Sequence, residues 1–153
     1  MARSLGLDIG NRRIGVAVSD AIKLIARPLG VIDRKTERAV ERIAAFVAQQ
    51  QVDEVIVGLP YNADGSKGEQ AARVEQFVAQ LGLHLAVPIH FCDERYSTLA
   101  AREIMASKKQ KTPKDGDDAI AAAVILQRAL DERRAKQPDE PDKPDEFDVE
   151  MEE

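Results

Sequence analysis

Apolar residues along this chain fall into short runs alternating with helical stripes. Residues 3–9 (RSLGLDI) and 14–18 (IGVAV) read as two strands separated by Gly10-Asn11-Arg12-Arg13. So short a gap predicts an antiparallel hairpin. A third extended piece is expected near Leu29–Ile32, after Pro28. From Thr36 to Gln51, the apolar positions Ala39, Val40, Ile43, Ala44, Phe46 and Val47 recur at helical spacing, with Thr36 as the expected N-cap. Asp53–Gly58 (DEVIVG) is a short β-branched run, expected as a buried strand. The loop LPYNADGSKG follows, rich in turn residues. Residues 69–81 carry a second helical pattern (Ala72, Val74, Phe77, Val78, Leu81), with Gly82 as its stop. Residues 85–92 (LAVPIHFC) read as a strand, and residues 97–106 as a helix after a Ser/Thr cap. A lysine-rich loop leads to a closing helix over residues 118–135. Its stretch Ala119–Leu126 has no charge on any side, the mark of a helix buried over much of its surface.

A leading hairpin followed by alternating helices and strands gives an α/β fold: a mixed sheet with helices on both faces, in ribonuclease H-like outline. At 153 residues the chain is one domain's worth, with room for a sizeable core. The expected division is a folded body over residues 1–136 and an acidic tail over residues 137–153. That tail holds nine Asp/Glu, one Lys and three Pro, a composition expected to stay disordered. The formal net charge of −5 therefore hides a body of net +3, compatible with a polyanion partner. The most one-sided stretch holds Arg102, Lys108, Lys109, Lys111 and Lys114 against Glu103 alone. A single cysteine, Cys92, excludes a disulfide framework and a Cys-cluster zinc site. No run reaches the roughly 18 apolar residues of a membrane span, so the expected setting is the cytoplasm, with no membrane partner. Cys92 reads as a small core residue, and His84 and His90 as structural or surface residues.

The candidate chemistry lies in carboxylates. Asp8 sits inside an apolar strand, flanked by Gly6 and Gly10. A buried carboxylate needs a partner, either an arginine such as Arg12 or a metal ion. Asp93 and Glu94 follow a strand and precede a helix, where sites form in open α/β sheets. Asp117 and Asp118 open the last helix, where one acid suffices as a cap. Asp118 lies four residues before Ala122 and seven before Ile125, on their line of the helix, although Asp117 stays open as the alternative. Asp8, Glu94 and Asp118 thus give three acids from separate segments. Hard oxygen ligands of this kind suit Mg²⁺ or Mn²⁺ rather than zinc, and such metal sites hydrolyse phosphodiesters without a Ser, Cys or His nucleophile.

At these residues a specific resemblance emerges. The chain resembles the YqgF family, described as pre-16S rRNA nucleases and as Holliday junction resolvases, over about residues 3–130. Three segments carry it. The first is Leu5-Gly6-Leu7-Asp8-Ile9-Gly10 with Arg13-Ile14-Gly15-Val16-Ala17, and the second is Val57-Gly58-Leu59-Pro60 with Asp64-Gly65. The third is Asp93-Glu94-Arg95-Tyr96-Ser97-Thr98 with Ala101, followed by Asp118, Ala122 and Ile125-Leu126. The resemblance implies a ribonuclease H-like fold and a metal site of Asp8, Glu94 and Asp118. Gly58, Pro60, Asp64 and Gly65 would border the cleft, together with Ser97 and Thr98. Arg12, Arg13, Arg95, Lys108, Lys109, Lys111 and Lys114 would contact the nucleic-acid backbone without reading bases.

The expected function is a divalent-metal-dependent nuclease in 5′-end maturation of pre-16S rRNA. Its expected partner is structured RNA or branched DNA, met as a monomer or weak homodimer. Two readings compete. A junction-resolving endonuclease needs a dimer to cut symmetrically, and a ribosome-assembly factor could use the same fold without catalysis. Asp-x-Gly openings also occur in actin-like kinases and ATPases, but those need a second domain for which 153 residues leave no room.

Overall fold

The computed structural model describes residues 2–62, 64–93 and 115–136. Five strands form one sheet: β1 (Arg3–Ile9), β2 (Arg13–Ser19), β3 (Ala26–Asp33), β4 (Val52–Leu59) and β5 (Ile89–Asp93). Helices α1 (Ala39–Gln49) and α2 (Glu69–Gly82) interleave with the later strands, and α3 (Asp115–Lys136) ends the described chain. The strand order is β3-β2-β1-β4-β5, which makes β1 central. β1 pairs antiparallel with β2 and parallel with β4. β3 runs antiparallel to β2, and β5 parallel to β4.

Alternation along β1 divides the core in two. Leu5, Leu7 and Ile9 pack on one face with Ile43 and Phe46 of α1 and with Ala71, Val74, Phe77, Val78 and Leu81 of α2. The other face joins Ala17, Ile56 and Cys92 to Ala122, Ile125, Leu126 and Leu130 of α3. Helices therefore cover both faces of the mixed sheet, as the order of elements predicts.

On the α3 side, small residues let the helix approach. Gly6 stands opposite Ala17, and Gly15 opposite Asp8. A Cβ built on Gly6 would lie 2.7 Å from Leu126 Cβ, and one on Gly15 only 1.8 Å from the carbonyl oxygen of Asp118. The helix backbone itself thus rests on the strand pair. α3 runs from Asp118 at the carboxyl end of β1 to Arg133, which reaches Glu54 near the start of β4.

Some boundaries differ from the sequence expectation, for identifiable reasons. The first helix begins at Ala39 rather than after Thr36, and Arg38 occupies the N-cap. The Thr36 N–H and hydroxyl both turn back to the Asp33 carbonyl, at 3.1 and 3.5 Å, so Thr36 closes a turn and caps nothing. The fifth strand starts at Ile89 rather than Leu85. Leu85 and Val87 pack against the core instead of joining the ladder, and the Pro88 carbonyl accepts the first bond, from Val55 N–H at 2.9 Å. In α2 the inward position is Ala71, with Ala72 exposed, and Gly82 is the last helical residue rather than a stop beyond it. β3 begins before Pro28, which an edge strand tolerates. The helix expected over residues 97–106, the lysine loop and the tail from residue 137 lie outside the described residues.

The far end of the sheet carries a buried ion cluster. Glu54 is 7% exposed. Its carboxylate receives the Ser4 hydroxyl, both Nη groups of Arg133 at 2.8 and 3.1 Å, and Lys23 Nζ at 3.0 Å. Burial opposes its ionisation, but the bonds from Arg133, Ser4 and Lys23 outweigh burial and hold its pKa at about 2, below the usual 4.5. His90, on the outer strand, approaches Glu54 at 3.9 Å.

Two outcomes follow. In urea titrations, Gly15→Ala should cost at least about 2–3 kcal/mol, because a Cβ cannot fit unless α3 moves. A depressed carboxylate pKa stabilises the fold above the unfolded value and loses that effect as pH falls through the folded one. Wild-type stability should therefore fall as Glu54 is protonated between about pH 5 and pH 2. Glu54→Gln should lose that portion of the slope and be less stable at pH 7.

Candidate active site

Asp8 occupies the last turnward position of β1 on the α3 side, two residues after Gly6. It is half-buried, and its cross-strand neighbour Gly15 offers no side chain to screen it. The first turns of α3 settle on that gap, which brings Asp118 to Asp8. Burial, and then the negative charge of Asp118, push the Asp8 pKa from 3.8 up to about 6. Of the acids that open the helix, Asp118 is the one whose charge is felt at Asp8. The arrangement at the start of α3 also sets both acids near the positive end of the helix dipole.

The arginines are distributed otherwise than an Asp8–Arg12 pairing, one of the two alternatives for Asp8, would require. Arg13, first residue of β2, places Nε 3.0 Å from Asp118 Oδ2. Arg12 turns the other way, 3.7 Å from Asp33 Oδ1. Arg34 donates to the Gly10 carbonyl at 2.7 Å and fastens the β1–β2 turn. Arg12, Arg13, Val31, Asp33 and Glu37 line a cleft of about 270 Å³ next to the acid pair. Val31, Asp33 and Glu37 reach this cleft only because the β3 edge folds beside the hairpin turn, which the sequence pattern does not show.

The donor chemistry fits a hard divalent cation. Two carboxylates lie close enough to repel, and a cation between them would relieve the penalty that lifts Asp8. Among the described residues, no group of three or more His, Cys, Asp or Glu could hold a metal ion. Glu94 follows Asp93, the last residue of β5, and lies outside the described residues, as do Arg95, Ser97, Thr98, Lys108, Lys109, Lys111 and Lys114.

Gly58 lies on β4 opposite Cys92, one position beyond Val57, which pairs with Leu7. By alternation with Ile56 it faces α3, beside the end of β1 that carries Asp8. Pro60 begins the loop that leaves this same end of the sheet. Asp64 is exposed and accepts the Ser66 N–H at 2.9 Å and hydroxyl at 2.6 Å, so it shapes its own turn. Gly65 has φ 91°, a backbone state that suits glycine. Gln70, at the start of α2, donates to the Ile9 carbonyl at 3.5 Å and ties the loop's far end to β1. Cys92 is buried, and His84 and His90 are exposed.

Comparison with known proteins places this arrangement in a family. Residues 2–132 match the family model described as RuvX, Holliday junction resolvase. A Chloroflexus aggregans protein named "Putative pre-16S rRNA nuclease" is 44% identical over 133 residues, covering 85% of this chain and 94% of that protein. Proteins of the same name from Crocosphaera subtropica and Geobacillus kaustophilus are each 40% identical, covering 86% of this chain and 94% and 99% of theirs. Among solved structures, T. thermophilus RuvC in complex with a Holliday junction substrate superposes with a TM-score of 0.59 at 18% identity. That match covers 88% of this chain and 97% of the other, and supports the ribonuclease H-like fold. With its central acid-bearing strand, its sheet order and this extended likeness, the chain belongs to the RuvX family of nucleases.

Proposed function

We propose that this protein is a divalent-metal-dependent nuclease that hydrolyses phosphodiester bonds during 5′-end maturation of pre-16S rRNA in the cytoplasm. The observation that carries the reading is the Asp8–Asp118 pair, set where α3 rests on the β1–β2 hairpin. The names of the curated relatives supply the substrate class.

Asp8 and Asp118 would hold Mg²⁺ or Mn²⁺, and Glu94 would complete the site or orient the attacking water. A divalent ion so bound supplies an activated water and charge neutralisation at the leaving oxygen. Asp8 must be ionised to serve as a ligand. Arg13, which lies against Asp118, would meet the substrate phosphate. Arg12 extends the cationic surface away from the acids. Arg95, Lys108, Lys109, Lys111 and Lys114 would follow the backbone, so binding should weaken steeply with salt. Gly58, with no side chain, leaves room beside Asp8, and Pro60, Asp64, Gly65, Ser97 and Thr98 would border the cleft. The protein would act as a monomer or weak homodimer.

The deciding experiment offers precursor rRNA and a four-way DNA junction side by side, with Mg²⁺ or Mn²⁺. The expected result is metal-dependent cleavage of the RNA, lowered at least about 100-fold by Asp8→Asn or Asp118→Asn, in line with the loss of a transition-state charge stabiliser. Preferred cutting of the junction by a dimer would favour the resolvase reading. Undiminished cleavage by both variants would refute the metal-site assignment.

The acid pair has a stability signature as well. A carboxylate whose folded pKa is raised disfavours the fold while ionised, and that penalty disappears as pH falls through the folded value. Metal-free protein should therefore gain stability from Asp8 as pH falls from 7 through about 6 toward 4. Asp8→Asn should be more stable than wild type at pH 7, by about 1–3 kcal/mol in urea titrations, and should lack that gain.

A further inference from the structure

Alternation along the hairpin sets an arginine on the same face as the acid pair. Gly6 and Asp8 of β1 face α3, as do Gly15 and Ala17 of β2. Arg13 lies two residues before Gly15 and so shares that face. Arg12, one residue away, turns to Asp33 instead. The backbone of Arg13 is fixed from both sides. Its carbonyl accepts the Gly10 N–H at 2.9 Å, and it stands in register with Asp33 on β3. The side chain, 44% exposed, is the adjustable part, and its Nε lies 3.0 Å from Asp118 Oδ2. That oxygen is shielded from solvent, although the Asp118 side chain as a whole is 31% exposed.

This contact changes the charge that a cation would meet. With both acids ionised, the pair carries two negative charges, and the Arg13 guanidinium offsets one of them. A unit charge in contact with the same carboxylate opposes a divalent ion by about tenfold in affinity even at a water-like dielectric, and salt reduces the effect. Bracing Asp118 needs only a donor, which a neutral amide would supply. A phosphate makes use of the charge and of the planar set of N–H donors. A phosphate paired with Arg13 would neutralise the charge that works against the cation. The two binding events are then linked, and such linkage is reciprocal.

We propose that Arg13 is a counter-charge shared between the acid pair and the substrate: it weakens cation binding at Asp8 and Asp118 in the free protein, and a nucleic-acid phosphate that pairs with it lifts this restraint. Substrate and cation therefore bind cooperatively. The inference rests on the nuclease reading for the identity of the cation and the phosphate, but its test needs no cleavage.

The experiment compares full-length wild type, Arg13→Gln and Arg13→Lys in two titrations at pH 7.5 and low salt. The first is calorimetry with Mn²⁺ alone. The second follows binding of a short precursor-rRNA oligonucleotide in EDTA by fluorescence anisotropy. Arg13→Gln should bind Mn²⁺ at least about threefold more tightly than wild type, and the RNA at least about fivefold more weakly. Arg13→Lys keeps the charge and should stay near wild type for Mn²⁺. A residue that only braced Asp118 would, when replaced, weaken Mn²⁺ binding instead. Unchanged or weaker Mn²⁺ binding by Arg13→Gln, or unchanged RNA binding, would overturn the proposal. Should Arg13→Gln fail to fold, Arg13→Met carries the same comparison with the side-chain stem kept. A parallel assay asks whether wild type cuts precursor rRNA with Mn²⁺. The expected opposite shifts without cutting would contradict the nuclease reading alone. Cutting, with Mn²⁺ affinity unmoved by Arg13→Gln, would contradict the Arg13 role alone. Absence of Mn²⁺ binding by every one of these proteins would overturn both.

Discussion

The close seating of α3 on the β1–β2 hairpin is the constraint from which the rest follows. Gly15 removes the side chain that would hold the helix away, and Gly6 does the same eight helical residues further on, at Leu126. Without these contacts Asp118 would stand off from Asp8, and the sheet would have an ordinary apolar helix over it. The same approach buries Ala122, Ile125, Leu126 and Leu130 against Ala17, Ile56 and Cys92. Apolar burial of this kind, at about 25 cal/mol per Å², is what can offset the repulsion between two neighbouring carboxylates.

The helix therefore has two electrostatic ends with opposite logic. At its start, Asp8 is pushed toward protonation by burial and by Asp118, and the local structure is poorer for the charge it holds. At its end, Glu54 is held ionised by Arg133, Ser4 and Lys23 despite its burial. One cluster is satisfied within the protein and anchors the helix. The other is left with surplus negative charge, as expected of a place that meets a cation.

Much of this could be read from the sequence, and the limits have physical causes. The hairpin, the buried β4 run and the uncharged stretch of α3 follow from period and turn chemistry, which are local. Asp8 stood out because a carboxylate in an apolar strand demands a partner. Its relation to Asp118 could be suspected from helical phase, but that the Asp118 charge acts on Asp8 depends on α3 seating against Gly15, a contact between residues far apart in the chain. The same holds for Arg13 rather than Arg12 at the acids, and for the cleft walls contributed by Val31, Asp33 and Glu37. The misplaced starts of α1 and β5 have a different origin. Thr36 spends its cap on Asp33, and Leu85 and Val87 are apolar for packing rather than for pairing.

The central claim is that Asp8 and Asp118 share one divalent cation, and a calorimetric titration with Mn²⁺ at pH 7.5 tests it most directly. Wild-type protein should bind the ion, Asp8→Asn and Asp118→Asn should each bind at least about tenfold more weakly, and the double variant should lose little more than either single one, as expected of two residues acting on one ligand. Unchanged Mn²⁺ affinity in both single variants would contradict the account.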